Sequence, residues 1–214
     1  LSILSFVKSI KLQLHNNKIN NVDAPTILIA GCGTGQHSIG TAVRFKNSKV
    51  LAVDLSLASL AYAKRKTEEF NVKNIEYRQA DILDLNLLNK KFDIIESVGV
   101  LHHMENPFAG WKVLTGCLKP AGLMKIGLYS NLARKDIAKI RRKIDKSDGE
   151  LNINKIKAYR KEFLSSKKEF IKRVSLFDDF YSLSELRDLL FHVNEHTFSL
   201  LQIINYLDKL GLKF

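Results

Sequence analysis

An apolar run that opens into three alternating glycines constrains this chain more than any other feature. Residues 27–30 are apolar, Gly31, Gly33 and Gly35 follow, and a helix-like pattern then resumes. Glycine adopts positive φ and has no Cβ to keep a ligand away from the main chain, and a new helix begins with unpaired N–H groups. The segment therefore predicts a strand, a turn and a helix on which a nucleoside can lie.

Several kinds of nucleotide-binding site use glycine-rich turns. A P-loop ends in Gly-Lys-Ser/Thr, whereas Gln36 and His37 follow Gly35, so the P-loop is excluded because no lysine can reach a phosphate. A dinucleotide fingerprint has its third glycine one residue later, at the position of Gln36. This departure weakens the interpretation as an NAD-linked oxidoreductase but leaves it open.

An acidic residue that suits a nucleoside lies at or just after the end of two further strand candidates. Residues 49–54 form an apolar run that ends in Asp54, where a carboxylate can accept hydrogen bonds from both ribose hydroxyls. The alternative is that Asp54 only caps the following helix. Residues 75–79 lead to Asp81 and Ile82, a pair that can bind an adenine amine and pack on its ring, or form an ordinary cap.

Strands and helices alternate along most of the chain. Strand candidates at 92–98 and 123–128 complete the set, and helix-like segments lie at 35–45, 56–70 and 107–118. This alternation predicts an α/β fold with a doubly wound, mostly parallel sheet that is covered on both faces. In such sheets, ligands bind at the carboxyl ends of the strands, where the residues singled out above are expected.

The spaced motifs between residues 27 and 128 resemble those of class I S-adenosylmethionine-dependent methyltransferases, especially the bacterial methyltransferase type 11/12 kind. The resemblance implies a Rossmann-like methyltransferase fold and S-adenosyl-L-methionine as cofactor. It assigns the glycine turn to the methionine and ribose, Asp54 to the ribose hydroxyls, and Asp81 with Ile82 to adenine. The cofactor-binding residues that it implies are Gly31, Cys32, Gly33, Gly35, Asp54, Leu55, Asp81, Ile82, Ser97 and Val98.

Two positions depart from the pattern of that family. Many members have an acidic residue two positions before the first glycine, where this chain has Ile29, so a carboxylate contact to the cofactor's amino group is expected to be absent. Ala121 replaces a glycine in the turn of residues 118–122 before the fifth strand. We therefore expect no positive φ at Ala121.

The resemblance also implies that His102 and His103 lie at the rim of the methyl-acceptor pocket and are the candidate catalytic residues. Methyl transfer is an in-line displacement at a carbon that positive sulfur already activates, so the protein mainly aligns the acceptor and a base is optional. If the acceptor needs a base, imidazole suits neutral pH, and two adjacent histidines point in different directions. The sequence at Asn106-Pro107-Phe108 is one proline short of an adenine or amide methylation motif, which disfavours those acceptors.

The two cysteines predict a reducing compartment and a cytoplasmic protein. A chain with only Cys32 and Cys117 has no disulfide framework. Cys32 is expected to be a small residue in a tight turn and not a nucleophile.

Much of the net charge of +12 is concentrated after the fifth strand. Residues 131–175 contain fifteen basic and six acidic residues, with an apolar spacing that predicts helices inserted over the acceptor pocket. This insert either recognises a polyanion such as tRNA or is a solvated helical face. The second interpretation is favoured because few aromatic residues that stack bases lie among the charges.

A second cluster of polar and aromatic residues follows the basic insert. His192-x-x-Glu195-His196 matches an H-x-x-E-H zinc-peptidase pattern, but that pattern needs a helix and a distal carboxylate, so no metal is predicted. We expect this region to contribute to the acceptor pocket, or else simply to anchor the insert to the sheet. The candidate substrate residues are Tyr129, Phe180, Tyr181, Glu195 and His196.

The predicted organisation has four parts. These are an N-terminal helix at 1–22, a cofactor-binding core at 23–130, the basic helical insert or lid at 131–196, and at 197–214 the last core helix with the start of a sixth strand. The unfinished strand indicates a C-terminal truncation and a piece of a larger multidomain chain. Residues 1–14 are too short and too charged to span a bilayer, so no membrane partner is predicted.

The function predicted from the sequence is methyl transfer to a small molecule or a protein side chain, with RNA as a less favoured acceptor. Three alternatives stay open: an NAD-linked oxidoreductase, a non-catalytic S-adenosylmethionine-binding module, and an RNA methyltransferase that uses the basic insert.

Overall fold

The computed structural model describes residues 1–12, 21–144 and 152–214, which divide into two compact units. Unit 1 comprises Leu1–Leu128 and Leu201–Phe214, and unit 2 comprises Tyr129–Leu200. The strands are β1 (Thr26–Ala30), β2 (Lys49–Asp54), β3 (Ile75–Gln79), β4 (Phe92–Val98) and β5 (Leu118–Gly127). The α-helices are α1 (Ile3–Ser9), α2 (Gln36–Arg44), α3 (Leu57–Glu69), α4 (Pro107–Gly116), α5 (Lys135–Arg141), α6 (Ile153–Ser165), α7 (Glu169–Val174), α8 (Leu183–Phe191) and α9 (Leu200–Leu210).

Unit 1 is built on a five-stranded sheet in the order β3-β2-β1-β4-β5, with every neighbouring pair parallel. The central strand β1 is almost wholly buried. Its four residues after Thr26 are apolar, and all four are buried. Because parallel sheets need cover on both faces, such strands are nearly continuous apolar runs. The sheet confirms the predicted doubly wound α/β fold.

Alternate residues of β1 point to opposite faces of the sheet and belong to two separate cores. Ile27 and Ile29 pack with side chains of α1, α2 and α3, whereas Leu28 and Ala30 pack with α4 and α9. Successive side chains of a strand alternate between the two faces, so one apolar strand supplies both cores. Both layers of helices therefore hold the central strand in place, and with it the glycine turn that follows.

The N-terminal helix is shorter than predicted. α1 ends at Ser9, and Lys11 has a φ of 53°, which the helix cannot continue through. Ile3 and Val7 are buried against the core of unit 1, so the helix packs on the domain as expected. The rest of the predicted 1–22 helix falls largely on residues 13–20, outside the described residues.

The expectation of an ordinary φ at Ala121 is wrong, because this residue has a φ of 57°. Phe92 pairs with Leu118 and Ile94 pairs with Leu123, so the strand β5 contains a bulge at residues 119–122. A bulge places extra residues against a shorter partner strand and forces local turns of the backbone. The predicted turn thus lies inside β5, and the bulge requires the left-handed conformation although the residue is alanine.

The predicted helix near the C-terminus is confirmed as α9, but the predicted start of a sixth strand is wrong. Gly211 has a φ of 68° and donates its N–H to the carbonyl of Asp208, and the N–H of Leu212 bonds to the carbonyl of Leu207. These two bonds form a Schellman motif, which ends a helix. Leu212 also packs on the core of unit 1, so its side chain helps to attach the end of α9 to that core.

Unit 2 is helical and has its own hydrophobic core. It contains α5 to α8 and a short 3₁₀ helix, Asp178–Phe180. The apolar spacing predicted helices where α5 and α6 lie, and these predictions are confirmed. The buried core residues are Ile137, Ile140, Ile156, Phe163, Ile171, Val174, Phe180, Leu186, Leu189 and Leu190.

No helix within the described parts of the chain combines the length and apolar character that crossing a bilayer requires.

Candidate functional site

The three glycines after β1 all have positive φ, with values of 77°, 52° and 90° for Gly31, Gly33 and Gly35. A Cβ at Gly31 would lie 2.3 Å from Cγ2 of Val100, and one at Gly35 would lie 2.6 Å from the Cβ of Ala63. At Gly33, no atom of the described residues lies within 4 Å of that position. Two glycines therefore allow the turn to pack closely on its own domain, and Gly33 opens to free space.

Asp54, at the end of β2, holds this turn. Its Oδ2 accepts a hydrogen bond of 2.8 Å from the N–H of Gly33, and its Oδ1 accepts one of 2.9 Å from the N–H of Ser56. The cap of α3 is Ser56, whose Oγ accepts from the N–H of Ser59, so Asp54 is not the N-cap residue. A carboxylate has about four acceptor positions, so Asp54 keeps capacity for further donors.

Large apolar side chains are exposed where three strands end. Leu55 directly follows β2 and is 64% exposed, Leu83 follows β3 by four residues and is 46% exposed, and Val98 ends β4 and is 42% exposed. The carboxyl ends of parallel strands lie at one edge of a sheet. Exposed apolar surface beside a polar turn is typical of a binding site for a ring with polar substituents.

Asp81 caps a 3₁₀ helix, Ile82–Leu88, and accepts a hydrogen bond of 2.9 Å from the N–H of Leu83. Ile82 is buried in the core of unit 1. The alternative of an ordinary cap is therefore realised at this position. The adenine contact of Asp81 and Ile82 stays a prediction.

Ser97 is fully buried, and its Oγ donates a hydrogen bond of 3.0 Å to the carbonyl of Ala30. This bond ties the end of β4 to the end of β1, immediately before Gly31. Ser97 thus stabilises the start of the glycine turn through the end of β1. The neighbouring Val98 is exposed. Their contact with the sulfonium stays a prediction.

The cysteine of the turn is buried and unreactive. Burial, and next the negative charge of Asp54, raise the pKa of the Cys32 thiol to about 12. Burial also raises the pKa of Cys117, the other free cysteine. Both thiols stay protonated near neutral pH, and a protonated thiol is a poor nucleophile.

The two adjacent histidines differ in accessibility. They lie on a 3₁₀ helix, Leu101–His103, with ring centroids 4.3 Å apart and the rings tilted by 64°. His102 is 1% exposed, whereas His103 is only half-buried. Of the two predicted catalytic residues, His103 is the one that solvent reaches.

A buried polar cluster beside the turn was missed by the sequence reasoning. Glu96 on β4 is 1% exposed, and its Oε2 lies 2.7 Å from Oγ1 of Thr41 and 2.8 Å from Nε2 of His37. Burial alone would raise the pKa of Glu96, but the contacts with His37 and Thr41 and the charge of Lys125 outweigh it and lower that pKa. The sequence signal for this cluster is a glutamate inside an apolar strand, together with His37 and Thr41, which are four residues apart on α2.

Glu195 forms a buried ion pair inside unit 2. Both of its oxygens bind Arg134, at 3.2 Å and 2.6 Å, and Oε2 also lies 3.1 Å from Nη1 of Arg141. Residues 192–197 are not helical, so the H-x-x-E-H pattern has no helix here. Glu195 therefore holds the fold of unit 2 together, and its place in an acceptor pocket stays a prediction.

The other predicted substrate residues have different environments within unit 2. Phe180 is fully buried in the core of unit 2, and Tyr181 and His196 are exposed. Tyr129 is half-buried with the guanidinium of Arg134 3.7 Å from its ring centroid, and burial raises the pKa of its phenol. Phe180 thus has a packing role, and acceptor contacts by all four residues stay predictions.

Part of the positive charge of unit 2 is neutralised within the unit. Asp136 lies 2.7 Å from Arg173 and 3.2 Å from Lys139, and Glu195 pairs with two arginines. The pairing with Glu195 shelters Arg134 and Arg141, which agrees with the favoured interpretation of the insert. Arg173 and Lys139 stay 52% and 39% exposed, so they remain on the surface of the unit.

Comparison with known proteins supports the predicted fold. Residues 27–122, which include the glycine turn, Asp54, Asp81 and the strand β4, match the model of the methyltransferase domain family. This part of the chain is therefore similar to the domain of class I S-adenosylmethionine-dependent methyltransferases. The match favours the methyltransferase prediction over the NAD-linked alternative.

Two curated relatives are each similar to part of the chain. An uncharacterised protein of Synechococcus is 35% identical over 127 residues, which are 59% of this chain and 30% of that protein. The (S)-coclaurine N-methyltransferase of Thalictrum flavum is 30% identical over 95 residues, which are 44% of this chain and 26% of that enzyme. The chain thus spans about a third or less of the length of these relatives.

A solved structure shares the fold over most of the chain. PKMT2 from Rickettsia typhi superposes with a TM-score of 0.72 at 23% identity, and covers 90% of this chain and 39% of its own. The same protein in complex with AdoHcy, S-adenosylhomocysteine, gives a TM-score of 0.68. At this identity the likeness establishes the Rossmann-like methyltransferase fold.

Proposed function

We propose that this chain binds S-adenosylmethionine at the turn after β1 and transfers its methyl group to a small molecule or a protein side chain. The observation that carries the proposal is the pairing of Asp54 with Gly33. Asp54 holds the one glycine of the turn whose Cβ position opens to free space. A ligand can approach the main chain there and meet a carboxylate that still has acceptor capacity.

The cofactor residues fit an adenosyl ligand by their chemistry. Asp54 offers a carboxylate for ribose hydroxyls, and the exposed Leu55, Leu83 and Val98 offer apolar surface for a ring. When bound, the cofactor supplies a methyl carbon activated by positive sulfur, so the residues of the chain mainly orient the acceptor and exclude water. His103 is the candidate base because it is the accessible member of the histidine pair.

A small molecule or a protein side chain is proposed ahead of RNA as the acceptor. The pairing of Arg134 and Arg141 with Glu195 of the same unit supports this order, because these two cations are sheltered and already neutralised. One relative is named for N-methylation of (S)-coclaurine, a small molecule. A cytoplasmic location is part of the proposal and is supported by two buried, unpaired cysteines, which persist in a reducing compartment.

The test has two stages. Calorimetric titration with S-adenosylhomocysteine and, separately, with NADH should show binding of the first ligand and not of the second. Incubation with S-adenosylmethionine labelled in the methyl group, together with amine, hydroxyl and protein acceptors, should then transfer label. No uptake of S-adenosylhomocysteine by folded protein would overturn the proposal, whereas binding without transfer to any acceptor would favour a non-catalytic binding module.

A further inference from the structure

The cluster of His37, Thr41 and Glu96 is the strongest unassigned feature of unit 1. Glu96 is the only charged residue of β4 after Asp93, and its immediate cross-strand neighbour on β1 is Ile29. Paired residues of neighbouring strands put their side chains on the same face of a sheet. The buried carboxylate of Glu96 therefore stands beside the position where Ile29 replaces the expected acid.

The cluster joins the two segments that border the proposed methionine end of the cofactor. His37 is the second residue of α2, two positions after Gly35, and Glu96 directly precedes Ser97. Ser97 is itself bonded to the carbonyl before Gly31. The contacts of Glu96 with His37 and Thr41 attach the first two turns of α2 to β4, and thereby hold the imidazole beside the glycine turn.

The contact with Glu96 leaves one edge of the His37 imidazole accessible. Its Nε2 faces Glu96, and its side chain is 35% exposed, whereas the Glu96 side chain is 1% exposed. A buried carboxylate needs a compensating charge, and an imidazolium supplies one while its second N–H stays available to a ligand. The exposed edge of the ring can thus donate a hydrogen bond to an anion at the turn.

We propose that His37, oriented by Glu96 and Thr41, binds the carboxylate of the amino-acid end of S-adenosylmethionine. This inference rests on the proposed function and adds a residue that recognises one end of the cofactor. Glu96 and Thr41 act through His37 and are positioning residues. The other charged groups of this region are Lys125, which lies beside Glu96 on β5, and Asp54, which the turn engages through Gly33.

Two ligands distinguish recognition from a structural role. S-adenosylhomocysteine carries the amino-acid end, and 5′-methylthioadenosine lacks it but keeps the adenosyl thioether. His37→Gln should weaken calorimetric binding of S-adenosylhomocysteine by roughly 10- to 100-fold, the usual effect of a lost charge-assisted hydrogen bond, and leave methylthioadenosine unchanged. Lys64→Gln, which removes an exposed cation from α3, is the matched control and should change neither affinity.

Variants of the two positioning residues give an independent check. Glu96→Gln and Thr41→Val should each weaken calorimetric binding of S-adenosylhomocysteine and leave binding of methylthioadenosine unchanged. The effect of Glu96→Gln should be the larger one, because the carboxylate of Glu96 lies 2.8 Å from Nε2 of His37 and orients the ring directly.

The outcomes separate this inference from the proposed function. If neither ligand binds the unaltered protein, the proposed function fails. If both bind but His37→Gln weakens them equally, or weakens neither, His37 does not recognise the amino-acid end and this inference is overturned. Selective loss of the ligand with the amino-acid end supports it.

Discussion

Asp54 in unit 1 and Glu195 in unit 2 are both sheltered carboxylates with several hydrogen-bond donors, but the donors are of different kinds. Asp54 accepts from backbone N–H groups of a turn and retains acceptor capacity beside open space at Gly33. Glu195 gives both of its oxygens to Arg134 and shares one with Arg141. A carboxylate that accepts from backbone N–H groups keeps acceptor positions for a ligand. One that is enclosed by arginines uses its oxygens to stabilise the fold.

The largest expected effect concerns the glycines that let the turn of Asp54 pack. Gly31→Ala places a Cβ against Val100 at a positive φ, so we expect a loss of about 3–5 kcal/mol in the free energy of unfolding, from left-handed strain and overpacking together. Gly33→Ala should cost only about 1 kcal/mol but weaken S-adenosylhomocysteine binding ~10-fold or more. Urea unfolding and calorimetry measure the two effects. Equal losses of stability in both variants would contradict the distinction between packing and open glycines.

The second prediction removes the charge from Glu195. Glu195→Gln leaves two partly buried guanidinium groups without their anion, so unit 2 should lose about 3 kcal/mol of stability. Affinity for S-adenosylhomocysteine should not change. Glu162→Gln on the exposed face of α6 is the control and should alter neither quantity. A large loss of affinity for S-adenosylhomocysteine in Glu195→Gln would contradict the purely structural role that distinguishes Glu195 from Asp54.

The third prediction applies the same change to Asp54. Asp54→Asn replaces one carboxylate oxygen with an amide group that cannot accept from its present N–H donor, and it removes the charge that favours ribose hydroxyls. We expect roughly 10-fold weaker binding of S-adenosylhomocysteine, with a loss of stability smaller than in Glu195→Gln. Asp23→Asn, before β1, is the matched control. A variant that unfolds readily but binds normally would show that Asp54 serves only the fold.

The smallest effect near neutral pH is the acid sensitivity of unit 1. Burial alone would raise the pKa values of Asp93 and Glu96, but hydrogen bonds and cations outweigh it and lower both. A carboxyl with a lowered native pKa contributes stability that is complete above its ordinary pKa of about 4 and is lost as the pH falls through the native value. The free energy of unfolding should therefore be level from pH 7 to about 5 and then decline.

Substitution tests the source of this decline. Asp93→Asn and Glu96→Gln should each be less stable than the unaltered protein at pH 7 and show a shallower fall on acidification, measured by urea unfolding at each pH. An unchanged slope in both variants would assign the acid sensitivity to other carboxylates.

Local patterns predicted the architecture of unit 1 well. The strands β2, β3 and β4 and the helices α2, α3 and α4 lie where the apolar pattern placed them, because that signal is local. The bulge in β5 was missed, since it arises from how two strands pair. The helix end at Gly211 was mistaken for a strand because a short apolar segment suits either when its partners are unknown.

The sequence by itself determined the parallel α/β sheet, the glycine turn and the acid that follows β2, because these depend on residue type and spacing. Only the tertiary structure decided which glycine opens to free space, which histidine of the pair is accessible, and that Glu96 meets His37. It also decided that Glu195 meets two arginines more than fifty residues away. Such contacts form only when distant segments pack, so no local pattern records them.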